Sequence, residues 1–197
     1  MTRVVLLVKD FGAAKSRLSE VLDPPSRMAI AGDFALAALS AVGPEALVVA
    51  GSETVAGIAR SNGNEVVVEE RSNGQNPAAR LGIAAAVEHG ADAVLLLSSD
   101  LPLISTGVIK RLLAWADRLP RPVAVAVAAI GRGGTNALYL APPDAIDLHF
   151  GEDSLAKFES DARSRRVRFE IYDSPELALD IDEPSDLAAL RERRRAG

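Results

Sequence analysis

Three cations stand close together early in the chain. Lys9, Lys15 and Arg17 fall within the stretch Lys9-Asp10-Phe11-Gly12-Ala13-Ala14-Lys15-Ser16-Arg17-Leu18, around a glycine turn. Such a cluster could neutralise a triphosphate, or it could be a solvated basic turn. It is not a Walker loop, which needs a second glycine before Lys15-Ser16, and it is not a Rossmann dinucleotide fingerprint. Carboxylates form a second set. Asp100 follows the most apolar run of the chain, in Ser98-Ser99-Asp100-Leu101-Pro102-Leu103. A carboxylate there suits Mg²⁺, which takes a few carboxylates together with phosphate oxygens; it would also serve to cap the following turn. In Asp180-Ile181-Asp182, read as part of a short strand, alternation puts both carboxylates on one face and Ile181 in the core. Two like charges side by side need a cation or donors to neutralise them. That spacing favours metal binding over the alternative, a helix N-cap at Asp182 ahead of Glu183-Pro184.

Two glycine turns complete the polar set. Gly133-Gly134-Thr135-Asn136 and Phe150-Gly151-Glu152-Asp153-Ser154 both free backbone N–H groups, and both carry a hydroxyl. The second opens a helix, whose N-terminus is an anion site, or else it is simply a well-made helix start. Asn76, in the polar loop Asn73-Gly74-Gln75-Asn76, could meet a base or ribose, or only form a turn. The two histidines, His89 and His149, lack metal-ligand spacing, and the absence of cysteine excludes thiolate nucleophiles, disulfides and iron–sulfur clusters. The arginines at 191, 193, 194 and 195 read as a solvated helix end.

These residues need a scaffold, and the pattern supplies one. Strands are expected at Arg3–Val8, Ala46–Ala50, Glu65–Glu69, Ala93–Ser98, Val123–Ala129, Asn136–Leu140, Val167–Tyr172 and, briefly, Ala178–Ile181. Helices are expected at Ser26–Val42, with Ile30, Phe34, Ala37, Ala38 and Ala41 on one face, and at Glu53–Ser61, Ala78–Glu88, Ser105–Arg118, Ser154–Ser164 and Pro184–Arg195. Ser105 is the expected N-cap of its helix. The strands before and after Gly131-Arg132-Gly133-Gly134 are expected to pair as neighbours. The whole reads as one α/β domain over residues 1–197, a mostly parallel central sheet flanked by helices. In such a sheet, ligands bind outside the carboxyl ends of the strands, and the polar turns fall there.

Composition narrows the partners. A hydrophobic fraction of 48% with only 4% aromatics implies a core of Ala, Val, Leu and Ile. The net charge of −5 argues against nucleic acid as the main partner, while leaving a local cation cluster free to hold a small anion. No run approaches the roughly 18–20 apolar residues of a membrane span, so no membrane association is expected. The start of the chain lacks the features of a signal peptide, and a cytoplasmic location is the expectation.

Taken in order, the segments Val8-Lys9 with Ala14-Lys15-Ser16-Arg17-Leu18, Asp100-Leu101-Pro102-Leu103, Gly133-Gly134-Thr135-Asn136-Ala137-Leu138, Phe150-Gly151 with Ser154, and Asp180-Ile181-Asp182-Glu183-Pro184 with Asp186-Leu187 span nearly the whole chain. Together they resemble the guanylyltransferases that make the activated phospho-acid precursor of the deazaflavin coenzyme F-420. The resemblance implies a Rossmann-like nucleotidyltransferase fold and a reaction between GTP and a phosphorylated three-carbon acid. Phosphoenolpyruvate is the leading acceptor, then 2-phospho-L-lactate, then 3-phosphoglycerate. It further implies that Asp100, Asp180 and Asp182 hold two Mg²⁺ ions, that Thr135, Gly151 and Ser154 grip the phospho-acid, and that Lys15 and Arg17, with Lys9 and Asn76, bind the nucleotide. The chain departs from the family pattern at Leu7-Val8, where a proline often precedes the first Lys, at Ser99 in place of a glycine, and at Gly74-Gln75-Asn76 in place of Gly-Leu-Asn. A molybdenum-cofactor-type guanylyltransferase would need a Gly-rich start that this chain lacks. A non-catalytic nucleotide-binding regulatory domain would have no need of three carboxylates.

Overall fold

In a computed structural model the chain is described over residues 1–12, 15–71, 73–131 and 133–196, without the side chains beyond Leu190. Ala13, Ala14 and Arg132, and the side chains of the arginines at 191, 193, 194 and 195, lie outside the described residues. Among those described, seven strands form one sheet: β1 (Thr2–Val8), β2 (Leu47–Ala50), β3 (Glu65–Val68), β4 (Ala93–Ser98), β5 (Val123–Ala128), β6 (Thr135–Ala141) and β7 (Arg168–Ile171). Their order is β3-β2-β1-β4-β6-β5-β7. β6 runs antiparallel to β4 and β5, which bears out the expected pairing across the Gly131–Gly134 turn. The other pairings are parallel. The helices are α1 (Pro24–Val42), α2 (Glu53–Ser61), α3 (Gln75–Glu88), α4 (Thr106–Ala116), α5 (Ser154–Arg165), α6 (Pro175–Ala178) and α7 (Pro184–Ala196), with a 3-10 turn at Ser16–Glu20.

Alternation along the strands sends side chains to two separate cores. Leu6, Val8, Leu95, Leu97 and Tyr139 pack under α1, α2 and α4, whereas Val5, Leu7, Leu96 and Leu138 pack under α3 and α5. On α1 the buried stripe is Ala31, Phe34, Ala35, Ala38, Leu39 and Ala41, so Ala37 faces out rather than in. A residue near the edge of a helical stripe is easily misassigned, because the arc that packs is set by the partner sheet and not by the helix alone. Helix α3 packs closely on the sheet at Gly82. A Cβ built on Gly82 would stand 2.4 Å from Val5 Cγ1 and 2.8 Å from Val49 Cγ2. Gly82→Ala is therefore expected to destabilise the fold by about 1–3 kcal/mol through overpacking, measured as a lower urea midpoint with unchanged slope. No loss of stability would show that α3 can slide outward freely.

Two expectations are corrected by this architecture. First, Ala178–Ile181 is not a strand. Ser174 caps α6 by accepting from the Leu177 N–H, α6 ends at Ala178, and the chain then runs extended without joining the sheet. Its backbone is tied elsewhere: the Ile181 N–H donates to the Asp100 carbonyl at 3.3 Å, and the Ala178 carbonyl accepts from Ile130 at 2.9 Å. The alternation survives without the strand, since Leu179 and Ile181 are buried and Asp180 and Asp182 are not. Second, α3 starts at Gln75, three residues earlier than expected. Gly74 takes the N-cap position with φ +99°, and Pro77 sits in the first turn, where its missing N–H costs nothing. Gln75 and Asn76 thus belong to a helix start and not to a loop. Among the described residues, no helix is long and apolar enough to cross a membrane.

Candidate active site

The carboxyl ends of β1, β3 and β4 and the start of β6 open onto one cleft of about 640 Å³, within the size range of small-molecule sites. Its walls bring together Lys9, Lys15, Arg17, Asp100, Thr135, Gly151, Asp180 and Asp182 from segments far apart in sequence. A small apolar cluster beneath explains the meeting. Leu18, which follows the basic loop, and Leu179 and Ile181, which flank Asp180, are buried against the same Phe34 and Leu190. Burial of those apolar side chains sets cations and carboxylates face to face.

The charges meet as two ion pairs. Lys15 Nζ lies 2.8 Å from Asp100 Oδ2, and Arg17 Nη1 lies 2.7 Å from Asp182 Oδ2. The pairs are unequal. Lys15 is 8% exposed and holds a left-handed backbone (φ 59°), whereas the Arg17 side chain is 63% exposed. A surface pair of the second kind contributes little to stability. Asp180 is reached from β6: the Asn136 amide donates to the carbonyls of Leu177 and Ala178 at 3.0 and 3.1 Å, and stands 3.4 Å from Asp180 Oδ1. Asp186, at the third position of α7, turns back to accept from the Asp182 and Glu183 N–H groups at 2.9 and 2.7 Å. This is the reciprocal half of a capping box, and it fixes the direction of Asp182.

The three aspartates share the cleft but do not converge. Among the described residues, no three His, Asp or Glu side chains stand close enough together to hold a metal ion by themselves. Each of Asp100 and Asp182 is instead neutralised by its own cation. The donor set still suits Mg²⁺, which is commonly held by one or two carboxylates completed by substrate phosphate oxygens. The charge of the cleft points the same way, since among the described residues five carboxylates and three cations line it. A polyanion entering such a cleft gains from an accompanying divalent cation.

Of the three residues expected to grip a phospho-acid, Thr135 and Gly151 line the cleft and Ser154 does not. Ser154 is 0% exposed, and its hydroxyl donates to Thr135 Oγ1 at 3.0 Å. It therefore reaches the cleft only through Thr135, leaving that hydroxyl its own proton to donate. The first N–H groups of α5 are also spent locally, Ser154 to the Gly151 carbonyl at 3.2 Å and Leu155 to the Gly133 carbonyl at 3.1 Å. The helix N-terminus thus does not offer these two groups to an anion. Ser154→Ala is expected to raise the acceptor KM by about 3- to 10-fold, the cost of one misdirected neutral hydrogen bond, with nucleotide affinity unchanged. A steady-state titration of acceptor at saturating nucleotide measures it, and an unchanged KM would remove Thr135 from the acceptor's contacts.

Asn76 makes its hydrogen bonds to the backbone of Phe150. Its amide donates to the Phe150 carbonyl at 3.0 Å and accepts from the Phe150 N–H at 2.8 Å. It clamps the start of α3 to the turn before Gly151 and does not line the cleft. Its neighbour Gln75 does, with Nε2 donating to Ser98 Oγ at 3.2 Å. Gln75, Glu69 and Asn136 are cleft residues that reading the motifs one at a time misses. An Asn at the head of an apolar strand is itself a signal, because Asn is depleted in strands unless its amide is used. His149 sits off the cleft, its Nε2 3.5 Å from Asp161 Oδ2 and its ring against Phe158.

The fold is a Rossmann-like sheet shared with solved nucleotidyltransferases. A nucleotidyl transferase from Methanothermobacter thermautotrophicus has this fold, with a TM-score of 0.69 at 20% identity, covering 100% of this chain and 99% of that one. The chain belongs to the family described as guanylyl transferase CofC like, which matches residues 2–191. A phosphoenolpyruvate guanylyltransferase from Rubrobacter xylanophilus is 38% identical over 190 residues, 94% of this chain and 91% of that one. A 2-phospho-L-lactate guanylyltransferase from Methanothermobacter thermautotrophicus is 31% identical over 192 residues, 96% of this chain and 83% of that one.

Proposed function

We propose that residues 1–197 act as one cytoplasmic nucleotidyltransferase domain that couples GTP to phosphoenolpyruvate, yielding enolpyruvoyl-diphospho-guanosine and pyrophosphate, in coenzyme F-420 biosynthesis. The observation that carries this reading is the ordering of the cleft. Cations at the end of β1 face Asp100 at the end of β4, and neutral donors, Thr135 and the Gly151 backbone, lie beyond them. A triphosphate matches the first group, and a small phosphorylated acid matches the last.

The chemistry asks little of the side chains as acids or bases. A phosphomonoester has a second pKa of about 6, so its attacking oxygen is already ionised at neutral pH. That oxygen bonds to the α-phosphorus, the bond from the α-phosphorus to the bridging oxygen breaks, and pyrophosphate leaves with the electron pair. Lys15 and Arg17 offset charge on the triphosphate, and Thr135 and Gly151 hold the acceptor in line. Asp100, Asp180 and Asp182 would hold Mg²⁺, which when bound lowers the repulsion between two anions. For Lys15 and Arg17 to reach phosphate they must exchange carboxylate for phosphate oxygens, a change of partner at nearly constant charge.

Pyrophosphate release across GTP, ATP, CTP and UTP, each with phosphoenolpyruvate, 2-phospho-L-lactate and 3-phosphoglycerate, tests the reading. Release is expected with GTP and phosphoenolpyruvate above all other pairs. Release with ATP equal to that with GTP would remove the guanylyl assignment. A greater rate with 2-phospho-L-lactate would reassign the acceptor.

A further inference from the structure

We infer that Glu69 is the residue that reads the guanine base, accepting from its N1–H and 2-amino groups; this rests on the GTP reading above. Glu69 follows β3, and its N–H donates to the Ala50 carbonyl at 2.9 Å, which fixes the backbone where the side chain leaves the sheet. The side chain lines the same cleft as Lys15 and Asp100, on the other side of β1 from Thr135. β3 stands two strand spacings from β1, about 10 Å, a separation comparable to that between a guanine's pairing edge and its first phosphorus. With the triphosphate at the cations after β1 and the acceptor toward β6, the base falls toward β3.

What stands there is a set of acceptors. Burial is the main influence on the Glu69 carboxyl and pushes its pKa up; Lys9 opposes this and favours the ionised form. Among the described residues no hydrogen bond to it contributes, and the partly desolvated carboxylate lines the cleft. Gln75 spends its Nε2 on Ser98, which leaves Oε1 as its free acceptor beside the same wall. A carboxylate accepts with two oxygens and donates with none. Guanine presents two adjacent donors, N1–H and the 2-amino group, and suits it. Adenine presents a bare N1 acceptor at the same place and would be repelled. A hydrogen bond to a charged group changes affinity by about 10- to 100-fold, enough to set the choice of nucleotide.

Calorimetry of GTP, inosine triphosphate, ATP and tripolyphosphate binding to the full chain, wild type, Glu69→Gln and Glu69→Ala, is the test. Inosine triphosphate lacks only the 2-amino group. Wild type is expected to bind GTP about 10-fold more tightly than inosine triphosphate and about 100-fold more tightly than ATP. In Glu69→Ala both ratios should fall to within about 3-fold of unity, with Glu69→Gln between. Tripolyphosphate, which has no base, should bind all three proteins alike. Equal loss of GTP, inosine triphosphate and ATP affinity would put the ribose on Glu69 and overturn the assignment. Loss of tripolyphosphate affinity in parallel, or wild-type ratios kept in Glu69→Ala, would overturn it as well. Pyrophosphate release by the wild type in the same buffer separates this result from the reading it rests on: an inactive wild type that still prefers GTP through Glu69 would unseat the acceptor and leave the base reader standing.

Discussion

Asp180→Asn and Asp182→Asn are each expected to lower turnover by about 10²-fold or more, since charge stabilisation at the transition state is worth that much at a single site. The sign of the accompanying binding change makes this prediction specific. Among the described residues the cleft carries more carboxylates than cations. In the absence of divalent cations, removing one carboxylate reduces repulsion of the triphosphate, so GTP should bind the variants more tightly than wild type. With Mg²⁺ present the order should reverse. Calorimetry with and without chelator measures both, beside steady-state rates at saturating Mg²⁺. Near-normal turnover in both variants, or no reversal, would mean that Asp182 serves to pair Arg17 and Asp180 to meet Asn136, and that neither serves turnover.

Replacing Lys15 is the second large effect. Lys15→Met should weaken GTP binding by about 10²-fold while changing the acceptor KM little, because a buried ammonium is poorly screened and its interaction with phosphate is correspondingly strong. The stability consequences should be lopsided. Asp100→Ala leaves a nearly buried ammonium without its counter-charge, Lys15 being 8% exposed, and should cost about 1–3 kcal/mol. Lys15→Met leaves Asp100, whose side chain is 30% exposed, partly hydrated, and should cost less than about 1 kcal/mol. Urea unfolding of the two variants beside wild type measures the difference. Equal costs, or a larger cost for Lys15→Met, would contradict the burial argument.

The sheet and its helices follow from periodicity almost without correction, because apolar blocks such as Ala93–Ser98 and Val123–Ala128 admit few other uses. The strand expected at Ala178–Ile181 is the exception that periodicity itself explains. Leu179-Asp180-Ile181-Asp182 alternates like a strand because its apolar residues are buried, but the burial is against Leu18 and Phe34 and not in a sheet. Sequence alternation records burial, not hydrogen-bond partners. The helix Pro175–Ala178 does carry a signal in Ser174-Pro175, an N-cap followed by a proline at the first helical position.

The site divides in the same manner. Charged residues after strands could be placed at the cleft from topology alone, and Lys9, Lys15, Arg17 and Asp100 line it, as do Asp180 and Asp182 from the segment after α6. Small polar residues could not, since their roles depend on which neighbour takes each hydrogen bond. Ser154 turns to Thr135, Asn76 to the Phe150 backbone and Asn136 to the chain before Asp180, and none of these partners is adjacent in sequence. The contribution of Glu69 becomes visible only when the order of strands in space is known.

The proposal that this protein transfers a guanylyl group is tested most directly by ³¹P NMR of a reaction containing GTP, phosphoenolpyruvate and Mg²⁺. Attack at the α-phosphorus predicts two mutually coupled diphosphodiester resonances growing in step with free pyrophosphate, while the phosphoenolpyruvate and GTP signals decline together. Release of GDP and inorganic phosphate, with no coupled diphosphodiester pair, would contradict it.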